Sequence, residues 1–214
     1  MKSLRQSLHK QDLLGLGIMV ILFVVFYFLF DEEILDDYWE TNVILILINI
    51  IMAVSLNLIN GLTGQFSIGH AGFMAVGAYT SAIITVKLGM DFPIALIVAT
   101  VSAAFLGFLI GMPTLRLNGD YLAIATLGLG EIIRIAILNI DYVGGASGFM
   151  GIPRLTTFPI AFWIMVFVVY FIKNFKNSAD GRACLAIREN EIAAETMGIN
   201  TTKYKVMAFT IGAG

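Results

Sequence analysis

Charged residues are scarce in this sequence. Asp, Glu, Lys and Arg make up 13% of its 214 residues, whereas a soluble domain carries about 25%. Hydrophobic residues reach 58% and the mean hydropathy is +0.88, so too few polar side chains remain to cover a soluble particle of this size. The apolar residues form long unbroken runs, unlike the alternating pattern of a transmembrane barrel. The sequence therefore predicts an all-α integral membrane protein.

Residues that carry catalysis are also scarce. The single cysteine, Cys184, cannot form an internal disulfide, and we expect it to be a small buried side chain. The two histidines, His9 and His70, form no HExxH pair, and the sequence has neither a Gly-Lys-Ser/Thr phosphate loop nor a G-x-S-x-G nucleophile motif. It also has no basic patch suited to nucleic acid. We therefore expect no catalytic residue, no metal site, no cofactor and no nucleic-acid partner.

What the sequence has instead is a series of uncharged stretches. The first, Leu13–Phe30, is about 27 Å long as a helix, which is enough to cross a bilayer. Thr41–Val86 contains no charged residue and is long enough for two crossings, joined near Asn60–Gly64. Three further crossings follow at Phe92–Leu115, Tyr121–Ile140 and Leu155–Ile172. The predicted fold is a polytopic helical bundle with about six spans in a single domain, residues 1–214.

The basic residues indicate how these spans are oriented. Cytoplasmic loops of membrane proteins carry an excess of Lys and Arg. A topology with a cytoplasmic N-terminus places most of the basic residues inside, namely Lys2, Arg5, Lys10, Arg116 and those of Lys173–Lys205. It leaves Lys87 and Arg154 outside. We therefore expect a multi-pass protein whose N-terminus lies in the cytoplasm.

The most polar part of the chain is Lys173–Lys205, here called the charged segment. Asp180-Gly181 is a turn signal, no Pro or Gly interrupts Arg182–Met197, and Gly198 fits a helix C-cap. An apolar face that docks into a partner is expected from four residues, Ala183, Ile187, Ile192 and Ala194. The pattern favours a short amphipathic helical hairpin at the membrane surface, and the alternative is a solvated loop.

Polar residues also occur within the predicted spans. Gln65, Ser67 and His70 stand in a glycine-rich stretch, where small residues permit close helix approach or irregular backbone. Glu131 and Arg134 are three residues apart in another span, so they share a helix face and can pair. All of them are candidates for a translocation pathway. The alternatives are tight packing with satisfied polar groups for the first set and a structural salt bridge for the second.

Four stretches of the chain resemble the permease subunits of ATP-binding cassette importers, and most of all the M-type permeases for branched-chain amino acids. These stretches span most of Ser55–Asn200 and read SLNLINGLTGQFSIGHAGFMAVGAYTSA, LRLNGDYLAIATLGLGEIIR, GGASGFMGIP and GRACLAIRENEIAAETMGIN. The resemblance implies that the chain is a transport subunit and not an enzyme.

The last stretch is similar to the permease coupling loop, whose general pattern is Glu-Ala-Ala, three residues, Gly. Ala193, Ala194 and Gly198 fit this pattern, while Ile192 stands in place of its Glu, with Glu191 one position earlier. The resemblance implies an ATPase-coupling loop over residues 173–205 that includes Gly181, Arg182, Arg188, Glu189, Glu191, Ala193, Ala194 and Gly198.

The resemblance also implies partners and a mechanism. An extracytoplasmic binding protein would deliver the substrate, and a second homologous permease would complete the pathway across the cell membrane of a prokaryote. Two separate ATPase subunits would hydrolyse ATP and drive branched-chain amino acids inward.

Two other functions stay open from the residues alone. A urea or amide permease of the same family would share this architecture, and a self-sufficient secondary carrier or channel would need no ATPase. Members of the family usually have further spans after the coupling loop. The chain is therefore expected to be a fragment or to be truncated at its C-terminal end.

Overall fold

The computed structural model describes residues 2–32, 35–114, 117 and 119–214, with side chains for residue 15 and from residue 17 onward. Every regular element within those residues is helical, which confirms the predicted all-α class. The α-helices are α1 (Lys2–Asp31), α2 (Asp37–Asn57), α3 (His70–Ala82), α4 (Phe92–Thr114), α5 (Asp120–Leu138), α6 (Phe158–Asn177), α7 (Ala179–Glu189), α8 (Glu191–Thr196) and α9 (Thr201–Ala213). The predicted inner turn at Arg116 lies outside the described residues, as do the side chains of Lys2, Arg5 and Lys10.

Four helices are long and apolar enough to cross a bilayer, namely Asp37–Leu62, Phe92–Thr114, Asp120–Leu138 and Phe158–Asn177. The first of these is α2 continued by a π-helical turn, Leu58–Leu62. Where α1 has described side chains, Gly17–Asp31 is a shorter apolar helix. α3 has 13 residues and continues through a second π-helical turn to Lys87. The polytopic helical bundle is confirmed, and the full number of about six spans stays a prediction.

The helix breaks where the sequence predicted a join. After the first π-helical turn the chain leaves the helix at Gly64 and enters α3 only at His70. We call residues 64–70 the polar segment. Irregular backbone of this kind persists at membrane depth only where protein surrounds it or where it lines a cavity.

The chain forms two compact units. The first comprises Met1–Ile50 and Thr156–Phe167, and the second comprises Ile51–Leu155 and Val168–Gly214. In the first unit, the ring centroids of Phe23, Phe158 and Phe162 lie 5.1 to 5.9 Å apart, within the range of favourable aromatic packing. The expected single domain over residues 1–214 stays a prediction.

The core of the second unit is built around α9. Phe209 is fully buried in a cluster that also contains Ile59, Phe73, Leu122, Val206 and Ala213. At Gly107 of α4 a Cβ atom would lie 2.4 Å from the Cβ of Ala213, so only glycine permits this approach. Helices in lipid associate through close contacts of this kind. Because α9 begins inside the charged segment, it joins that segment to the core.

Candidate coupling and translocation site

The charged segment contains the last residues of α6, the two short helices α7 and α8, and the start of α9. The break between α7 and α8 falls at Asn190, whose backbone is extended (φ −160°, ψ 109°). Its side-chain oxygen accepts a hydrogen bond from the Ala193 backbone N–H at 3.0 Å, which caps α8 and competes with a continuous helix. The run Arg182–Met197 is therefore largely helical, as its composition predicted, but it is divided at Asn190 into two helices.

The same capping arrangement recurs at both neighbouring helices. The side-chain oxygen of Ser178 accepts from Gly181 N–H at 3.1 Å at the start of α7. The side-chain oxygen of Asn200 accepts from Lys203 N–H at 3.0 Å at the start of α9. The sequence contained this signal, because Ser and Asn are preferred N-cap residues, but sequence reasoning missed it.

Gly198 ends α8 in the manner the sequence predicted. Its φ is +84°, a conformation that is strained for residues with a Cβ atom. The Gly198 N–H donates to the Glu195 carbonyl at 2.9 Å, and the Ile199 N–H donates to the Ala194 carbonyl at 3.1 Å. These two bonds form a Schellman motif and satisfy carbonyls at the end of the helix. The predicted C-cap is confirmed.

Side chains hold α8 to the first turns of α9 at two points. Glu191 forms an ion pair with the ammonium group of Lys205 at 2.5 Å, and Lys205 is buried. Thr201 donates a hydrogen bond to the carboxylate of Glu195 at 2.7 Å. Glu191 and Glu195 are spaced i, i+4 in α8, and Thr201 and Lys205 have the same spacing in α9. One face of α8 therefore lies against one face of α9. The two helices are expected to move together.

The apolar residues of α7 and α8 do not share one face. Ile187 and Ala194 are buried, whereas the side chain of Ile192 is 76% exposed and that of Met197 is 83% exposed. The predicted single face of Ala183, Ile187, Ile192 and Ala194 is therefore wrong, because the break between the helices changes the helical phase. The exposed apolar side chains are instead Ile192, in α8, and Met197, which directly follows α8.

Other predicted residues of the coupling loop have structural contacts. A Cβ atom at Gly181 would lie 2.1 Å from the Phe175 carbonyl oxygen, so the chain can approach α6 only with glycine there. The Arg182 guanidinium donates to the Asn177 carbonyl at 2.8 Å. Cys184 is fully buried, and burial together with nearby Asp180 raises the pKa of its thiol to about 11. Its expected role as a small buried side chain agrees with this position.

Arg188 connects α7 to the helix break. Its Nη1 atom donates to the Gly61 carbonyl at 2.8 Å, in the π-helical turn that precedes the polar segment. Its Nε and Nη2 atoms bond to the carboxylate of Glu189. A Cβ atom at Gly64 would lie 2.9 Å from the Cγ of Arg188. The arginine therefore lies against the backbone at the start of the polar segment.

The polar segment carries buried groups that have no protein partner. Gln65 is 4% exposed, and neither its Oε1 nor its Nε2 atom has a hydrogen-bond partner among the described residues. The same holds for Oγ of Ser67 and Nδ1 of His70, while Nε2 of His70 lies 2.8 Å from Oγ of Ser55. Buried polar groups are normally paired, because an unmade hydrogen bond costs about 1–3 kcal/mol. This segment can therefore accept a polar ligand or water.

α5 packs closely against the polar segment. The Ile68 N–H donates to Oγ1 of Thr126 at 3.1 Å. A Cβ atom at Gly69 would lie 2.1 Å from the Thr126 carbonyl oxygen, so the two backbones are in contact. The polar segment is therefore fixed at one end by α5, and at the other it lies beside Arg188.

Glu131 and Arg134 pair as predicted. The Arg134 guanidinium donates to both carboxylate oxygens of Glu131, at distances of 2.5 to 3.0 Å. Both side chains are exposed at the surface of this chain and do not join Gln65, Ser67 and His70 in its interior. Their role in a pathway stays a prediction. Within the described part of the chain, no group of His, Cys, Asp and Glu side chains could hold a metal ion.

Comparison with known proteins places this geometry in a family. Residues 38–214 match the family described as branched-chain amino acid transport system, permease component. No solved structure matches the chain.

Three curated relatives have names that agree with this family. The chain is 37% identical to the high-affinity branched-chain amino acid transport system permease protein LivM of Escherichia coli K12, over 79% of this chain and 48% of that protein. It is 35% identical to LivM of Salmonella typhimurium LT2, over 97% of this chain and 56% of that protein. A probable LivM of Methanocaldococcus jannaschii is 29% identical over 55% of this chain and 39% of that protein.

The chain thus spans about half the length of the LivM proteins of the two enteric bacteria. The family match covers the four helices of spanning length, the polar segment and the charged segment. The chain belongs to the family of permease components of branched-chain amino acid transport systems.

Proposed function

We propose that this chain is a membrane-spanning permease subunit of an ATP-binding cassette importer for branched-chain amino acids. Its partners would be a second homologous permease, two ATPase subunits and an extracytoplasmic substrate-binding protein. It would lie in the cell membrane of a prokaryote with its N-terminus in the cytoplasm. The observation that carries this proposal is α8, a capped helix that exposes apolar side chains and is bonded to a core helix.

The exposed side chains of α8 are suited to docking. Ile192 and Met197 would enter an apolar cleft of an ATPase subunit, which would remove both from water. Such a helix-in-groove contact is a common mode of recognition. The chain has no phosphate-binding loop, so the energy of ATP would have to come from another chain.

Displacement of α8 would then reach the core of the second unit. The Glu191–Lys205 ion pair and the Glu195–Thr201 hydrogen bond join α8 to α9. α9 carries Phe209 in the centre of the core, and close-packed cores transmit strain. ATP-driven closure of the ATPases would in this way switch the permease between outward and inward states.

The pathway would run beside the polar segment. Gln65, Ser67 and His70 offer unpartnered donors and acceptors to the charged ends of an amino acid. Other carriers also use irregular backbone beside the translocation route to place polar groups at membrane depth. This position supports the proposal that the substrate passes along residues 64–70.

The proposal is tested by a mild-detergent pull-down of the tagged full-length protein from its own cell, followed by leucine and urea uptake assays. We expect a second permease and ATPase subunits to be recovered with the wild-type chain. Met197→Glu should lose the ATPases, because a carboxylate cannot enter an apolar cleft without a large desolvation cost. Met150→Glu is the matched control for ATPase recovery, since Met150 is 77% exposed against 83% for Met197 and lies in another loop.

The outcomes separate the proposal from its alternatives. Recovery of the chain alone, or only as a homo-oligomer, would favour a self-sufficient carrier or channel. Recovery of the ATPases together with urea uptake and no leucine uptake would favour a urea or amide permease of the same family. Retention of the ATPases by Met197→Glu would contradict docking through α8.

A further inference from the structure

A second site lies at the glycine-rich loop that follows α5. The GGASGFMGIP stretch belongs to this loop and has no part in the coupling contacts. A pocket of about 330 Å³ opens between the loop and the end of the second π-helical turn. Its lining includes Lys87, Asp141, Tyr142, Phe149 and Met150. We call it the loop pocket.

Charges of both signs line the loop pocket. Lys87 ends the π-helical turn that extends α3, and its Nζ atom lies 5.3 Å from the ring centroid of Tyr142 and 5.9 Å from that of Phe149. Asp141 begins the 3-10 turn after α5. Neither Lys87 nor Asp141 takes part in an ion pair with another side chain of the described residues. Neither charge therefore has an oppositely charged side chain of the described residues within ion-pair distance.

The loop is folded so that these groups stay together. Gly144 has a φ of +87°, and a Cβ atom there would lie 2.1 Å from the Gly148 carbonyl oxygen. The Gly144 N–H donates to the Asp141 carbonyl at 3.0 Å, which closes the turn. Val143 belongs to this turn, and its buried side chain anchors the loop. A glycine at position 144 is thus needed for the shape of the pocket wall.

The lining matches the chemistry of one ligand class. A free amino acid with an apolar side chain presents a carboxylate, an ammonium group and a hydrocarbon body. Lys87 can bind the carboxylate, Asp141 can bind the ammonium group, and Phe149 and Met150 can contact the hydrocarbon. The volume of about 330 Å³ lies at the small end of ligand pockets.

We propose that the loop pocket binds a zwitterionic amino acid with an apolar side chain and is a first contact site for the substrate. The physiological role of this site rests on the proposed function, since the loop is on the predicted outer side. Its affinity is expected to be in the millimolar range, because Lys87 and Asp141 are exposed to water. Weak binding suits a site that must release its ligand onward.

Cysteine protection tests the site directly. The native Cys184 is buried and the pKa of its thiol is about 11, so it gives little background reaction at neutral pH. Met150→Cys places a thiol in the loop pocket, and Ile152→Cys places one in the same loop but outside the lining residues. Both variants are assembled in their complete complex in lipid nanodiscs, without binding protein, and labelled with a water-soluble maleimide.

L-Leucine should slow labelling of Met150→Cys severalfold and leave labelling of Ile152→Cys unchanged. Two leucine analogues then test each charge, 4-methylpentanoate without the ammonium group and 3-methylbutylamine without the carboxylate. Lys87→Met should abolish protection by 4-methylpentanoate, and Asp141→Asn should abolish protection by 3-methylbutylamine. Each substitution should raise the leucine concentration for half-protection about twofold to fivefold, as expected for loss of an ion pair that is exposed to water.

The result is distinguishable from a failure of the importer function. Leucine uptake by the complete system together with unprotected Met150→Cys would overturn the loop pocket and leave the importer function intact. Protection of Met150→Cys without leucine uptake would support the loop pocket and count against the importer function. The labelling is repeated with ligand-free binding protein added. Protection of Met150→Cys by that protein, with none by leucine alone, would overturn the proposal and assign this surface to protein docking.

Discussion

At the scale of single residues, the most informative feature is a set of buried polar atoms without partners. Among the residues that the structure describes, neither end of the Gln65 amide has a partner, and Ser67 and His70 each have one atom without a partner, in a segment of seven residues. Each unmade hydrogen bond costs about 1–3 kcal/mol, so the fold tolerates an appreciable total cost here. Costs of this kind concentrate at functional sites, where a ligand or water supplies the missing partner.

Gln65→Leu tests this interpretation. The substitution keeps the size of the side chain and removes the two unpaired polar atoms, so the thermal stability of the protein should be unchanged or slightly higher. Leucine uptake should nevertheless fall about tenfold or more, because a hydrogen bond to a charged end of the substrate is lost. Uptake kinetics and a melting curve in detergent measure the two effects separately.

Thr210→Val is the matched control for Gln65→Leu. Oγ1 of Thr210 is also buried without a partner among the described residues, but it lies in α9 and not in the polar segment. We expect this variant to transport leucine like the wild type. Normal uptake by Gln65→Leu would contradict the assignment of Gln65 to the pathway.

At the scale of elements, α8 has six residues and could not form a stable helix alone. It is held by its caps at Asn190 and Gly198 and by its two side-chain contacts with α9. Of these, the Glu191–Lys205 pair involves the most buried charge, since only 8% of the Lys205 side chain is exposed against 37% for Glu191. The buried ammonium group makes the pair sensitive to loss of its partner.

A double-mutant cycle measures that dependence. Glu191→Ala leaves the charge of Lys205 unpaired and should lower stability by about 1–3 kcal/mol, a range reduced by the partial exposure of Glu191. Lys205→Met replaces the buried charge by an apolar chain of similar length. The double variant should therefore be more stable than Glu191→Ala alone, as measured by thermal unfolding in detergent.

Glu189→Ala provides the control for this cycle, because Glu189 is 71% exposed where it pairs with Arg188. Its effect on stability should be within about 0.5 kcal/mol. Equal stability of Glu191→Ala and the double variant would show that the buried charge of Lys205 needs no partner.

The same elements show what the sequence could and could not predict. The helical character of the charged segment, its end at Gly198 and the Glu131–Arg134 pair follow from local rules of propensity and spacing. The break at Asn190 was not predicted, because helix propensity across Arg182–Met197 is high, although Asn is a preferred N-cap residue. Which apolar side chains are exposed depends on contacts with α9, and local sequence does not contain that information.

The irregular backbone of residues 64–70 was partly foreseen for the same reason. Glycine and polar residues inside an apolar run indicate a broken helix, which the sequence shows directly. Whether the amide of Gln65 has hydrogen-bond partners depends on its neighbours in space, and only the structure identifies them. Arg188 was identified only through the resemblance to a coupling loop, and its bond to Gly61 connects residues far apart in the chain.

At the scale of the whole molecule, two contacts of the charged segment lead to different parts of the second unit. One is α9, which is bonded to α8 at its start and enters the core with its later residues. The other is Arg188, which bonds to the backbone just before the polar segment. In the proposed importer, the first contact would transmit ATPase binding to the core, and the second would transmit it to the proposed pathway.

Arg188→Met separates these two contacts. Methionine keeps an apolar stem beside Gly64 but cannot donate to the Gly61 carbonyl, so the link to the polar segment is lost. α8 and its exposed side chains are untouched, so the ATPases should still be recovered in a pull-down. Leucine uptake should fall about tenfold while ATP hydrolysis continues, because a charge-assisted hydrogen bond of about 1.5–3 kcal/mol no longer couples the two.

Arg188→Lys distinguishes a coupling role from a docking role. Lysine retains the charge and can donate to a carbonyl, but it lacks the fork that also binds Glu189, so partial recovery of uptake is expected. Loss of the ATPases in Arg188→Met would show instead that Arg188 belongs to the docking surface. Uptake equal to that of the wild type would show that the Arg188–Gly61 bond is not needed to transmit the movement, and Arg188 would then only hold the helix break in place.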